Sequence, residues 1–339
     1  MASADPAAPG ARVFVFNGDA DGLIGQHILG LELGAPDLRV TGWKRDIQLL
    51  AKVPPLASGR IHELHALDIS LRQNLDALGP LLAQGNLRIT WYDHHDPGEP
   101  PAHPNLELHI NQAAETCTAV IVNAVHGLRH PLWAAMAAFG DNLPATASAL
   151  ASSGGASAHE AAMLRRVGVL INYNAYGEKP GDTLFEPARL AERMAPYRQA
   201  YDLCWDQSLL GPLAAQFESD RESFQGIRPV VDRSGAGAYL VPDEAFARRY
   251  GATWANERAL QEPDRALAVI HAREDGTYMV SIRAPRRWDG SAVGSSASAA
   301  DLAREFPTGG GRKLAAGINA LPSDQLERFL QRFDAFFGK

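Results

Sequence analysis

Aspartates and histidines recur in four short stretches of the first half of the chain. They are Asp19 and Asp21 in NGDADGLIG, Asp68 in ALDIS, Asp93-His94-His95 in YDHHDP, and Asp141 in FGDN. Carboxylate oxygens and imidazole nitrogens suit hard-to-borderline divalent ions such as Mn2+, whereas thiolates would favour zinc or copper(I). Crowded into one cleft without a cation, such groups repel one another and their carboxyl pKa values rise, so a cluster of this kind calls for positive charge. Singly, each stretch has a plainer reading. DADG makes a turn, Asp68 caps a following helix, and Asp141-Asn142-Leu143-Pro144 ends one. YDHHD is harder to dismiss, because an acid and two histidines at a strand end sacrifice β-propensity.

These stretches sit where an α/β domain would bring them together. Apolar runs (ARVFVF, IHELHALDIS, LRITWYDHH) alternate with helical patterns, which predicts a mainly parallel sheet flanked by helices. In such a sheet the carboxyl ends of strands face the binding crevice. Asp19 and Asp21 follow the first run, Asp68 closes the second, and Asp93 to His95 close the third. A helix is expected from about Gly22 to Leu33, with Gly22 letting the backbone bend away so that both aspartates reach one pocket. Ser157 and Glu160 fit a capping box at a later helix start.

Beyond this the pattern changes. RPVVDRSGAGAYLV, RALAVIHARED and GTYMVSIRAP read as strands, with Asp275-Gly276 turning between the last two. A smaller C-terminal α+β domain is expected over 213–339, after a linker at 196–212. The first domain is expected over 12–195, behind a disordered tail at 1–11. Gly309-Gly310-Gly311 would form a loop whose backbone N–H groups approach an anion closely, with Arg312 and Lys313 beside it. Arg283 could offer a planar fork to a second phosphate.

The formal charge of −7 over 339 residues argues against a surface that grips long duplex nucleic acid by charge. Residues 213–339 carry 17 basic and 17 acidic side chains, leaving 15 basic and 22 acidic in the first 212, so the acidity belongs to the first domain. The two cysteines, Cys117 and Cys204, are far apart and imply neither a disulfide framework nor a zinc knuckle. No run approaches membrane-spanning length and the N-terminus does not read as a signal peptide, so a soluble cytoplasmic protein is expected. His27, His62, His65 and His109 read as surface or satisfied interior histidines.

In order and spacing, the four stretches resemble the motifs of the DHH phosphoesterase superfamily, in particular the branch of RecJ-type exonucleases and nanoRNase-like enzymes with a glycine-rich C-terminal domain. TCTAVIV resembles the small-residue helix start between the last two motifs. VSIRAP and GGGRKLAAG resemble substrate-binding segments of the second domain. The resemblance implies a dinuclear Mn2+ site made by Asp19, Asp21, Asp68, His94 and Asp141, for which Mg2+ or Co2+ could substitute. Asp68 would lie between the ions, Asp21, His94 and Asp141 would complete one, and Asp19 would serve the other. It further implies that His95 contacts the scissile phosphate while Asp93 orients the histidines, so that His95, Asp93 and Asp68 carry the catalysis. His95, Arg283, Gly309, Gly310, Gly311 and Arg312 would bind substrate.

Two positions depart from the family pattern. Many relatives have histidine at the position of Val15 and RecJ-like exonucleases have aspartate at that of Asn17, so the ion served by Asp19 is expected to bind weakly, with Asn17 as a poor amide ligand. Arg312 replaces a usual histidine and keeps a cation but cannot shuttle protons. Divalent ions acidify water and neutralise charge growing on a phosphoryl transition state. The expected activity is therefore Mn2+-dependent hydrolysis of short single-stranded oligonucleotides or small nucleoside phosphates, with no long duplex, no membrane and homodimerisation left open. The alternatives are an exopolyphosphatase-like or pyrophosphatase-like anhydride hydrolase, and a nucleotide-binding homologue with little turnover.

Overall fold

A computed structural model describes residues 10–46, 48–56, 61–177, 179, 181–285 and 298–338. Residues 1–9 of the expected tail lie outside the described residues, but Ala11 is already held, donating its N–H to His62 Nδ1 at 2.8 Å. The chain divides into two compact units, Met1–Ala215 and Gln216–Lys339.

The first unit is built on a five-stranded, all-parallel sheet in the order β2-β1-β3-β4-β5. Its strands are β1 (Arg12–Asn17), β2 (Leu38–Gly42), β3 (His62–Leu67), β4 (Leu87–Asp93) and β5 (Leu106–Ile110). Its helices are α1 (Ala20–Leu33), α2 (Leu71–Ala83), α3 (Thr118–Val125), α4 (Pro131–Gly140), α5 (Pro144–Ser153), α6 (Ala158–Asn174), α7 (Pro187–Met194) and α8 (Ala200–Cys204). The unbroken apolar run of β1 follows from helices on both faces. Val13 and Val15 pack into one layer with Leu71 and Leu78 of α2, while Phe14 and Phe16 pack into the other with α1, α3 and α4.

That second layer fixes where Asp141 goes. A Cβ at Gly140, the last residue of α4, would lie 2.5 Å from the Ala20 Cβ and 2.8 Å from the Gly168 carbonyl oxygen. Only glycine lets the end of α4 come this close to the start of α1 and the middle of α6. The Ser157–Glu160 capping box is present at the start of α6.

The expected linker, 196–212, holds α8 and the start of α9 (Gln207–Gln225), and Leu203, Leu209 and Leu210 are buried in the first unit's core. The division falls within α9, whose C-terminal half is anchored in the second unit. There Arg249 donates to Asp220 through Nε at 2.7 Å and Nη2 at 2.8 Å, a buried two-bond fork.

The second unit carries a six-stranded mixed sheet, β10-β11-β9-β8-β7-β6, in which β7 and β8 are parallel and the other pairs antiparallel. Its elements are β6 (Pro229–Asp232), β7 (Ala236–Val241), α10 (Ala245–Gln261), β8 (Ala266–Ala272), β9 (Tyr278–Arg283), α11 (Ala299–Arg304), β10 (Gly309–Gly311), β11 (Ala315–Leu321) and α12 (Leu326–Phe337). Gly276, at φ 77°, turns the chain between β8 and β9, as its aspartate-glycine pair predicts. The stretch read as one strand around residues 228–241 is two, β6 and β7, folded back on each other.

The three glycines at 309–311 form a strand and not a loop. Gly309, Gly310 and Gly311 pair with Ile318, Gly317 and Ala316 of β11, and a Cβ at Gly309 would lie 1.8 Å from the Ala303 carbonyl oxygen of α11. Close packing under α11, more than approach to an anion, accounts for that first glycine. Among the described residues, no helix is long and apolar enough to cross a membrane.

Candidate metal centre

The carboxyl ends of β1, β3 and β4 lie side by side, because these strands are hydrogen-bonded neighbours. Asp19 follows β1 and serves as N-cap of α1, its Oδ1 accepting the N–H groups of Asp21 (3.0 Å) and Gly22 (3.1 Å). The helix therefore begins at Ala20, two residues before the expected start. Gly22 is required for a reason other than a turn: a Cβ there would sit 2.2 Å from the Asn17 carbonyl oxygen. Asp21, in the first turn, is 1% exposed and accepts the N–H groups of Thr118 (2.6 Å) and Ala119 (2.8 Å). The backbone donors at the start of α3, which have no partner within the helix, thus fix this carboxylate, which gives the small-residue stretch TCTAVIV its place beside it.

Asp68 leaves β3 in a left-handed conformation, φ 56°. A non-glycine residue held there costs about 1–3 kcal/mol. Its backbone is fixed by an N–H bond to the Tyr92 carbonyl at 3.0 Å, and its Oδ1 accepts the Thr118 hydroxyl at 3.3 Å. Burial, then the neighbouring charges of Asp19, Asp21 and Asp93, push its pKa well above the usual carboxylate range. Asp141 caps the C-terminus of α4, where a negative charge opposes the helix dipole by about 0.3–1 kcal/mol. Its pKa is raised to about 6 by burial and by Asp21 and Asp19, with Lys44 opposing. Two carboxyls held against their own preference in this way form a site that a divalent cation would relax.

His94 and His95 follow β4. His94 Nε2 lies 3.5 Å from Asp68 Oδ1 and 4.0 Å from Asp21 Oδ2. Ligand atoms of Asp21, His94 and Asp141 lie within 4.8 Å of one another, as do those of Asp68, His94 and His95. The oxygen and nitrogen donors fit Mn2+ or Mg2+ in type, and their convergence fits one ion. His95 is differently engaged: its Nδ1 lies 2.7 Å from Asp93 Oδ1, which also accepts the His94 N–H at 2.9 Å. Burial lowers the pKa of His95, but the hydrogen bond and charge of Asp93 outweigh it and raise it overall. Asp93 is fully buried and holds both histidines by hydrogen bonds, and the His95 side chain is 43% exposed.

Asp19 belongs to neither group of metal-ligating atoms. Asp19 Oδ2 pairs with the ammonium of Lys44, in the loop after β2. Burial would raise the Asp19 pKa, yet the charge of Lys44 and hydrogen bonds with the Asp68 side chain, the Lys44 ammonium and the Gly22 N–H bring it down to about 2. The Asn17 Oδ1 accepts the Asp19 N–H at 3.1 Å and its Nδ2 donates to the Lys44 carbonyl at 3.0 Å, so this amide brackets the pair. Val15 is fully buried in an apolar layer of the sheet. Lys44 escaped the sequence reading. The strand that places it, β2, is five residues long and lies at the sheet edge, and no motif surrounds it.

In the second unit, Arg283 ends β9 and donates from Nε to Asn256 Oδ1 at 3.1 Å and from Nη1 to Ser281 Oγ at 3.1 Å. Ala315 is its partner on β11, and Arg312 lies in the turn between β10 and β11, exposed, with its N–H bonded to the Ala315 carbonyl at 2.7 Å. Arg283, Gly311 and Arg312 thus share one end of the second sheet. The four histidines read as bland are built into the fold. His65, between Phe14 and Tyr92, is interior but not satisfied, neither buried ring nitrogen having a hydrogen-bond partner, and burial pushes it to about pKa 4; His27, bonded to the Tyr197 carbonyl at 2.8 Å, is likewise pushed to about 4.

No family model matches the sequence, and no curated protein matches it. Solved structures do. A DHH domain from a member of a family of ribosomal proteins superposes with a TM-score of 0.60 at 14% identity, covering 96% of this chain and 86% of that one. RecJ from Thermus thermophilus, in complex with Mn2+, gives 0.62 at 20% identity, covering 96% of this chain, which spans only 52% of that RecJ. The pGpG-specific phosphodiesterase PggH from Vibrio cholerae gives 0.52 at 12% identity, over 95% of this chain and 98% of that one. Both units are spanned by these superpositions, and what they establish is architecture: the chain has the fold of the DHH-domain proteins.

Proposed function

We propose that this protein is a Mn2+-dependent phosphoesterase that hydrolyses short oligonucleotides or small nucleoside phosphates. The observation that carries the proposal is the convergence of Asp21, Asp68, His94 and Asp141 at adjoining strand and helix ends, beside a His95 oriented by a buried Asp93. A bound divalent ion would supply Lewis acidity and a water acidified toward neutral pH. The chain's own residues do the rest. Asp21 and Asp68 are fixed by the Thr118 and Ala119 donors, so their oxygens need no reorganisation when an ion arrives.

His95 takes the phosphate. Asp93 holds its Nδ1 and favours the protonated ring, leaving Nε2–H to donate to a phosphoryl oxygen and offset its growing charge. In the second unit, Arg283 and Arg312 are proposed as contacts for an anion, with the glycine strand before Arg312 fixing that turn. The likeness in fold to a Mn2+-bound RecJ and to a pGpG-specific phosphodiesterase supports the metal and the substrate class.

The test is a panel with Mn2+ on a dinucleotide, 3′,5′-bisphosphoadenosine, cyclic dinucleotides and polyphosphate, with and without EDTA. Chelator-sensitive cleavage of a nucleotide ester is the expected result. Cleavage of polyphosphate alone would move the protein to the anhydride hydrolases, and binding without turnover would make it a nucleotide-binding homologue.

A further inference from the structure

The acidic cluster has two sides with different electrostatic solutions. On one, Asp21, Asp68 and Asp141 face His94, and among the described residues no lysine or arginine forms an ion pair with them. On the other, Asp19 has both oxygens engaged, Oδ1 by two backbone N–H groups of α1 and Oδ2 by the Lys44 ammonium. Lys44 is held there by more than charge. Its N–H donates to the Ala175 carbonyl at 3.1 Å, its carbonyl accepts from Asn17, and its ammonium lies 5.5 Å from the Tyr176 ring centroid.

The two groups of potential metal ligands also share a single residue. Both use His94, whose Nε2 is the nitrogen that approaches Asp21 and Asp68, and one imidazole nitrogen has one lone pair to give. The group that includes His95 is the poorer of the two, since Asp93 occupies its Nδ1. On the far side, the Asn17 amide beside Asp19 is spent on Asp19 and Lys44.

We infer that the Lys44 ammonium takes the place of a second metal ion: it neutralises Asp19, and the centre holds one divalent cation with a fixed organic cation beside it. This rests on the metal reading above and corrects its dinuclear form. The carboxylates then divide by role, Asp21 and Asp141 with His94 as ligands, Asp68 between the ion and Lys44's partner, and Asp19 as counter-ion. An ammonium cannot be removed by a chelator, so part of the positive charge at the centre stays in place at any metal concentration.

The experiment is Mn2+ binding to the full chain, followed by equilibrium dialysis with metal analysis and by electron paramagnetic resonance. Wild type should take up one Mn2+ per chain, with the spectrum of an isolated ion. The double variant Asp19→Asn, Lys44→Met removes both members of the ion pair and should change the Mn2+ Kd by less than about threefold, whereas Asp141→Asn should weaken it about tenfold or more. Lys44→Ala, which frees the Asp19 oxygen, should admit a second and weaker Mn2+. Two ions in wild type with a spin-coupled spectrum, or a double variant that loses Mn2+ as Asp141→Asn does, would overturn the inference. Failure of wild type to bind any Mn2+ would defeat the metal reading itself. Lys44 is then judged by its acetylation rate: slow in wild type and faster in Asp19→Asn upholds the ion pair, and fast in both refutes it.

Discussion

The candidate metal centre of the first unit and the arginine corner of the second are built in opposite ways. Asp21, Asp68 and Asp93 are almost wholly buried, and their side chains accept hydrogen bonds from helix starts or neighbouring residues. Arg312 is exposed in a turn, and Arg283 is half-buried at a strand end. Burial strengthens electrostatic interactions and makes any unpaired charge costly, so substitutions among residues of the first kind are expected to cost most. Exposed cations are screened by water and salt, and each contributes little alone. On the proposed function, the difference separates groups that would shape a transition state from groups that would hold a ligand.

Breaking the first region should therefore cost most. Asp68→Ala or Asp141→Ala should lower kcat by about a thousandfold or more, in line with removal of a preorganised electrostatic group. A steady-state assay on a cleaved dinucleotide with saturating Mn2+ reads this, and retention of a tenth of wild-type activity would remove these residues from the centre. His95→Ala should cost about a hundredfold in kcat, and Asp93→Asn less, about tenfold, because it disturbs only orientation. In the second region, Arg283→Ala should raise KM about tenfold with kcat nearly unchanged. Arg312→Ala should raise KM by about threefold or less, an effect that shrinks further in salt. A fall in kcat for Arg312→Ala equal to that of His95→Ala would erase the distinction between the two regions.

The smallest effect is on stability. Asp141 has its pKa raised to about 6 in the folded chain, chiefly by burial and by the nearby aspartates. A raised carboxyl pKa means that the fold prefers the protonated form. Its contribution is full below the unfolded value near 4 and is lost as pH climbs through about 6. Metal-free protein should accordingly melt at lower temperature at pH 7 than at pH 5, with a shallower dependence in Asp141→Asn, and Mn2+ at pH 7 should restore the difference by binding only the folded state. Parallel melting curves for wild type and Asp141→Asn across this range would contradict it.

Much of the first region could be read from the chain. The central strands announce themselves as unbroken apolar runs because both their faces are covered, and the acids stand out against them at strand ends. The order of strands and helices follows from the same alternation. The edges were less legible. β2 and β5 are five-residue strands of mixed, partly exposed residues, so their periodicity is weak, and Lys44, whose place depends on β2, went unseen with them. Gly309–Gly311 reads as a loop by composition, because glycine's local preference says nothing of the pairing with β11 or of the packing under α11 that recruits it. The stretch at 196–212 reads as a linker where the pattern changes, yet α9 runs through the division, tied at its far end by the Asp220–Arg249 fork. Long-range partners decided each of these.

The most direct test of the central claim is anomalous diffraction at the manganese edge from crystals soaked in Mn2+. One strong peak within coordination distance of His94 Nε2, bounded by Asp21, Asp68 and Asp141 and with the Lys44–Asp19 pair intact, is the predicted result. Absence of density there, with Mn2+ bound elsewhere or nowhere, would contradict it.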